Sequence, residues 1–247
     1  MAISTMGIST NCCPSTRRRR TSPAGFANAS RNATKWSCKN PKAILPLMPS
    51  TMQTFKINEI FYSLQGEGYF TGTPAVFVRF SGCNLHCPFC DTNHQSGHLM
   101  TAEEIVAETT KFPASHIVLT GGEPSLFVTP ELVNMLHANG HRRIAIETNG
   151  THSIPDNIDW ITLSPKAPEY AGNERIGLSR CDELKVVYEG QNLAQYDRFA
   201  ARHRFLQPCD YGDKQKNAEN TAATIRACLS NPQWRLSLQT HKFLNIR

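Results

Sequence analysis

The sequence predicts an α/β fold, an open partial (β/α) barrel with fewer helices than a full barrel. Three observations predict it. From Phe55 onward, short β-branched or aromatic runs alternate with helix-period segments, which implies right-handed crossovers and a mostly parallel sheet. Some connections after strands, such as the one following Thr148, are too short for a full helix. The patterned region, residues 52–247, also falls short of the roughly 250 residues of a complete eight-fold barrel.

Taken in order, residues 1–51 come first. They are rich in Ser, Thr, Asn and Pro and carry Arg17, Arg18, Arg19, Arg20, Arg31, Lys35, Lys39 and Lys42 with no acid. No hydrophobic period runs through them, so they cannot bury enough surface to offset their chain entropy, and a disordered leader is expected. An Arg-rich, acid-free N-terminus fits an organelle-targeting segment. A true start at Met52, where the ordered pattern opens, fits as well. FKINEIFY and AVFVRF are predicted strands flanking the Gly-rich SLQGEGYFTGTP. TAEEIVAETTKF is a predicted helix, with Thr101 as N-cap and Glu104 completing a capping box. SHIVLT is a strand, and TPELVNMLHANG a helix capped by Thr129, with Pro130 in its first turn and Gly140 at its stop. RRIAIET, DWITLS and DELKVVY are further strands. QNLAQYDRFAARH and NTAATIRACLS are predicted helices separated by the short apolar RFLQP, and WRLSLQ closes the chain. Ligands of such sheets collect at the C-terminal ends of the strands. The cysteine-rich loop, TGGEP, ETNGT, SPK and QP all follow predicted strands, so they are expected on one rim.

Composition narrows the function. The formal charge of +6 is misleading, because eight of the 26 basic residues and none of the 20 acidic ones lie in the leader. Residues 52–247 carry no basic excess to grip a phosphate backbone, so no nucleic-acid partner is expected. No apolar run approaches the roughly 20 residues of a membrane helix, so no membrane partner is expected either. Nine cysteines, an odd number without a secretory signal, argue against a disulfide framework and for a reducing, cytoplasmic setting unless the leader targets an organelle. Cys181, Cys209 and Cys228 are scattered and are expected as core thiols.

The chemistry is concentrated in SGCNLHCPFCDT, where Cys83, Cys87 and Cys90 form a Cys-x3-Cys-x2-Cys array. Three thiolates suit zinc or iron–sulfur chemistry. A structural zinc site needs a fourth ligand, for which His86 and His94 are the nearest candidates. A redox pair of Cys87 and Cys90 is a further alternative. A cubane held by three cysteines instead leaves one iron free of protein, and that corner can take a substrate.

The array resembles the motif of the radical S-adenosylmethionine (SAM) superfamily, and LTGGEP following a strand strengthens the likeness. Nearly all of residues 52–247 resembles, more narrowly, the 7-carboxy-7-deazaguanine synthase family, through YSLQGEG, Arg79 in VRFSGC, the CDT ending, TGGEP, ETNGT, SPK, LQP and QTHK. The resemblance implies a 4Fe-4S cluster on Cys83, Cys87 and Cys90, SAM, and Mg2+ on Thr92. It implies SAM contacts at Phe89, Asp91, Gly122, Glu123, Ser164, Pro165, Lys166 and Gln207. It implies substrate contacts at Leu64, Gln65, Gly66, Arg79, Thr120, His241 and Arg247. The implied reaction turns 6-carboxy-5,6,7,8-tetrahydropterin into 7-carboxy-7-deazaguanine with loss of ammonia, in queuosine biosynthesis. The implied partners are a flavodoxin-like or other low-potential electron donor and a second copy of the chain in a homodimer. Arg79 also suits a carboxylate by its planar fork, although a surface pair on a strand is its plainer role. A glycyl-radical-activating enzyme and a zinc-stabilised binding module are the alternative functions.

Overall fold

The computed structural model describes residues 53–171 and 174–247. The expected leader, residues 1–51, and Met52 lie outside the described residues. Nine strands form one sheet: β1 (Thr54–Leu64), β2 (Pro74–Phe80), β3 (His98–Thr101), β4 (His116–Gly121), β5 (Arg143–Thr148), β6 (Trp160–Leu163), β7 (Arg180–Tyr188), β8 (Ala200–Pro208) and β9 (Arg235–Leu236). Their order is β3-β1-β2-β4-β5-β6-β7-β8-β9, so β3 and β9 are edges and the sheet does not close. The hairpin pairs β1–β2 and β1–β3 are antiparallel. Every pairing from β2 to β9 is parallel. The expected open partial barrel is therefore observed.

Helices α1 (Ala102–Thr109) and α2 (Pro130–Ala138) cover one part of the outer face. Thr101 and Glu104 form the predicted capping box on α1, and Thr129 caps α2. Ile105 and Val106 of α1 and Leu132, Val133 and Leu136 of α2 pack on Ile117, Leu119, Ile144 and Ile146. Each such buried side chain contributes roughly 1.5–3 kcal/mol. Strand alternation then turns Val118 inward, where it meets Phe61, Ala75 and Phe77. In β7, Leu184 and Val186 join a second apolar cluster with Tyr196, Phe199 and Trp234. Glu183 and Lys185 alternate with them and are buried as well.

The β1–β2 connection, residues 65–73, forms the floor of this partial barrel. It turns back on itself through Gly72 N–H to Gln65 O at 2.7 Å and Gln65 N–H to Thr73 O at 2.8 Å. Tyr69 packs on Trp160 and His203, and Phe70 packs on Trp160 and His116. Trp160 and His116 open their strands, so the aromatic pair seals the N-terminal ends while Gln65, Gly66 and Glu67 line the interior.

Several expectations change. QNLAQYDRFAARH is not a helix: it divides into a 3-10 turn, Leu193–Tyr196, and the first half of β8. Asn192 caps the turn through Ala194 N–H. Parallel pairing of Ala200–Pro208 with Arg180–Tyr188 outweighs the local helix propensity. Strand β3 lies in a stretch without a predicted element and forms by pairing with Thr54–Ile57. Two late helices follow, α4 (Lys214–Ser230), six residues longer at its start than predicted because Asp213 caps it, and the unpredicted α5 (Thr240–Leu244). A four-residue helix α3 (Pro168–Ala171) stands between β6 and β7.

Candidate active site

The loops at the C-terminal ends of the parallel strands surround a pocket of about 760 Å³, within the range of ordinary ligand sites. Cys83, Cys87, Phe89, Cys90, Asp91 and Thr92 line it from the loop after β2. Gly122 and Glu123 line it after β4, Ser164 and Lys166 after β6, and Gln207 from β8. Leu64, Gln65, Gly66, Arg79, Thr120, His241 and Arg247 complete the wall. Of the predicted site residues only Pro165 is outside the lining, held between Ser164 and Lys166.

At the thiol end, Cys83 and Cys87 are half-buried and Cys90 is exposed. Cys90 N–H closes a turn onto Cys87 O at 3.1 Å. Burial pushes the Cys83 and Cys87 thiols above their ordinary pKa, and their thiol neighbours push the same way. A cation joining Cys83 and Cys87 would favour their thiolates. Among the described residues no three His, Cys, Asp or Glu side chains converge on a single-ion site. Of the two histidines nearest the array, His94 lines the pocket and His86 does not. Three thiols of one loop fit a larger cluster with an open corner, while the fourth thiol of the lining, the buried Cys209, comes just after the end of β8.

The Gly-Gly-Glu-Pro loop is packed against the cysteine loop. Glu123 N–H donates to Gly82 O at 2.9 Å, and a Cβ on Gly122 would meet that same oxygen at 2.0 Å. The second glycine is therefore required by backbone contact. Glu123 itself is buried, accepting from Thr148 Oγ1 at 2.6 Å, Asn149 N–H at 2.7 Å and Ser125 N–H at 3.1 Å. Its carboxylate ties the ends of β4 and β5, and only its backbone is left for a ligand. Asn149 Nδ2 reaches Asn84 Oδ1 at 3.1 Å, and Asn84 Nδ2 reaches Thr151 Oγ1 at 2.9 Å, so ETNGT also braces the cysteine loop. Lys166 Nζ donates to Ser164 O at 2.8 Å and Ser164 Oγ at 2.7 Å. Burial lowers the Lys166 pKa, and the nearby Cys87 opposes this.

The inner end is ionic. Lys185 Nζ donates to Glu67 Oε2 at 2.5 Å and Glu147 Oε1 at 3.4 Å. Gln65 Nε2 donates to Glu147 Oε1 at 3.1 Å, Thr120 Oγ1 to Glu147 Oε2 at 3.1 Å, and Gln239 Nε2 to Glu67 Oε1 at 3.0 Å. Burial acts to raise the Glu67 pKa, but the charge and hydrogen bond of Lys185 hold it at about 2. Burial likewise disfavours the Lys185 charge, yet Glu147, Glu67 and Glu183 hold its pKa above the ordinary lysine value. Glu183, which accepts from Tyr69 N–H at 3.1 Å, is pushed up by burial to about 7.

On the rim, Arg79 is partly committed. Its Nε donates to Glu59 Oε1 at 3.0 Å and its Nη1 to Thr92 Oγ1 at 3.2 Å. Arg247 bonds the other oxygen of Glu59, and both guanidinium groups lie over Phe61. A bulge between Ile57 and Glu59 brings Glu59 opposite Arg79. The tail closes over Gly66, whose carbonyl accepts from Thr240 N–H at 2.9 Å and Thr240 Oγ1 at 2.8 Å. A Cβ on Gly66 would strike the His241 ring at 2.2 Å. Gln207 Oε1 accepts from Ser237 Oγ at 3.0 Å, and Ser237 Oγ from Gly68 N–H at 2.9 Å.

Sequence reasoning missed Glu59, Glu67, Glu147, Lys185 and Gln239 as individual site residues. Glu183 and Lys185 carried a usable signal, since charges at alternate positions of a strand buried on both faces must meet partners inside. Glu59, midway along β1, carried none.

A model of the Radical SAM superfamily matches residues 77–179. A 7-carboxy-7-deazaguanine synthase of Bacteroides thetaiotaomicron is 55% identical over 192 residues, covering 78% of this chain and 98% of the relative. The synthase of the same name from Nitratidesulfovibrio vulgaris is 39% identical, covering 78% and 99%. The crystal structure of QueE from Escherichia coli matches with a TM-score of 0.60 at 30% identity, covering 75% of this chain and 93% of that one.

Proposed function

The chain belongs to the 7-carboxy-7-deazaguanine synthase family, and from that membership we propose that it is a radical SAM lyase. It turns 6-carboxy-5,6,7,8-tetrahydropterin into 7-carboxy-7-deazaguanine with loss of ammonia, toward queuosine. One observation carries the reading: a single pocket has a three-thiol loop at one end and an ion-paired Glu67–Lys185–Glu147 network at the other.

Cys83, Cys87 and Cys90 would hold the cluster. A 4Fe-4S cluster there supplies the electron that cleaves SAM and opens the radical reaction. The chain's own groups bind and orient. The Gly122–Glu123 backbone, Ser164, Lys166 and Gln207 face SAM, with Phe89 and Asp91 beside it and Pro165 fixing the loop. Glu67, Glu147 and Gln65 offer acceptors to the N–H edge of the pterin, with Leu64, Gly66 and Thr120 against its ring. Arg79 retains Nη2 for the substrate carboxylate. Thr92, whose hydroxyl accepts from Arg79 Nη1, would hold Mg2+ through that oxygen, and the ion would supply positive charge beside the substrate carboxylate. His241 and Arg247 close the tail over the ligand and exclude water. A flavodoxin-like or other low-potential donor, a homodimer and a cytoplasmic setting complete the proposal. Exposed Phe243 and Leu244 on α5 supply apolar surface for the second copy, and no helix of the described residues is long and apolar enough to cross a membrane.

Anaerobic purification followed by turnover tests the reading. Brown protein with about four irons per chain that forms 7-carboxy-7-deazaguanine from the carboxytetrahydropterin is expected. Iron-loaded protein that cleaves SAM but leaves this substrate unchanged would overturn it.

A further inference from the structure

Lys185 is a buried charge that the roles assigned so far do not require. Its side chain is 7% exposed, and its strand neighbours Leu184 and Val186 pack on the opposite, apolar face. Burying an ammonium is costly, and an unbranched apolar residue there would avoid the cost. What an apolar residue could not do is hold two carboxylates. Glu67 comes from the floor loop and Glu147 from the end of β5, and Lys185 Nζ meets them at 2.5 Å and 3.4 Å. The other oxygen of Glu67 is fixed by Gln239 from the tail, and that of Glu147 by Thr120 from β4. Glu183, next but one on β7, and His241 of the tail also face this group, and without the ammonium the crowded carboxylates would take up a proton between them, so that one would become a donor.

We infer that Lys185 is a positioning residue that sets substrate specificity. It holds Glu67 and Glu147 in place as a pair of acceptors, so the inner end of the pocket selects a ligand edge presenting adjacent N–H donors. Resting on the pterin reading above, that edge is the ring N–H and exocyclic amine of an aminopyrimidinone. The same ammonium keeps Glu67 available to Gln239, so filling the inner end and seating the tail are linked through one side chain.

The experiment compares two ligands on cluster-loaded protein with SAM bound, the 6-carboxytetrahydropterin and its analogue carrying a 2-oxo group in place of the 2-amine. Wild-type protein should bind the analogue more weakly by about tenfold or more, because a site built on hydrogen bonds rejects a ligand that leaves them unpaired. Lys185→Met should lose most of that discrimination and gain a new inflection in the pH profile of kcat/KM, as Glu67 is no longer held low by the ammonium. Its iron content and SAM affinity should hold. Lys185→Arg should restore discrimination and remove the inflection. Equal binding of both ligands by wild type would overturn the inference even if Lys185→Met does not fold. So would wild-type discrimination and an unchanged pH profile in Lys185→Met. Retained discrimination without wild-type turnover would count against the proposed reaction alone, whereas turnover without discrimination would count against Lys185 alone.

Discussion

Two glycines of this pocket are fixed by different neighbours, and the difference can be measured. Gly122 faces the backbone oxygen of Gly82, where a Cβ would sit 2.0 Å away. Backbone cannot yield without moving the cysteine loop. Gly122→Ala is therefore expected to lower iron content and SAM binding after reconstitution. Gly66 instead faces the His241 ring, at 2.2 Å from a new Cβ. A side chain can swing away, carrying the tail with it. Gly66→Ala should retain iron and SAM binding while substrate affinity falls by about tenfold, the scale of one lost charged or buried hydrogen bond. Equal loss of iron in both variants would mean that the tail and the cysteine loop are one unit. Arg79 illustrates the limit of reading single residues. Its fork was legible as an anion ligand, but Glu59 takes its Nε, and nothing in a lone strand announces that partner.

Elements were legible where local chemistry and packing agreed. The caps Thr101 and Thr129 mark their helices because a hydroxyl three residues before a free N–H satisfies it wherever the chain folds. The capping box is also testable: Thr101→Ala should cost about 1 kcal/mol in a urea titration, with turnover unchanged. Residues 191–203 were misread because their strand exists only through pairing with β7, a partner distant in sequence. Helix α5 escaped notice for the same reason, since it is short and held by contacts with three other segments, at Gly66, Asp91 and Asp210. Lys242 alone bridges Asp91 at 3.2 Å and Asp210 at 2.6 Å. These groups are partly exposed, so each pair is worth roughly 0–1 kcal/mol and is screened by salt. Lys242→Ala is expected to speed hydrogen exchange in residues 240–247 with little change in melting temperature. High salt should have the same effect on the wild type and a smaller one on the variant. Unchanged exchange in Lys242→Ala would show that Thr240 and Gln239 hold the tail unaided.

At the scale of the whole molecule, the convergence of loops on one rim was readable because a parallel sheet dictates it. The ionic interior was not, because alternate strand positions state only that a charge points inward and never which charge it meets. That interior makes stability depend on pH through two opposed groups. Burial raises Glu183 from an ordinary 4.5 to about 7, so between those values the native protein keeps a proton that the unfolded chain releases. Its contribution is full below 4.5 and is lost as pH rises through about 7. Burial lowers His116 from 6.5 to about 4, so there the unfolded chain takes the proton. Its contribution is present above 6.5 and is lost as pH falls through about 4. The two slopes oppose each other from 4.5 to 6.5, and above 6.5 Glu183 is the one of the two still titrating. The urea midpoint of the wild type should therefore fall between about pH 6.5 and pH 8. Glu183→Gln keeps an acceptor for Tyr69 N–H but cannot ionise, and it should flatten that fall. An equally steep fall in Glu183→Gln would place the titrating group elsewhere and remove Glu183 from the charge balance around Lys185.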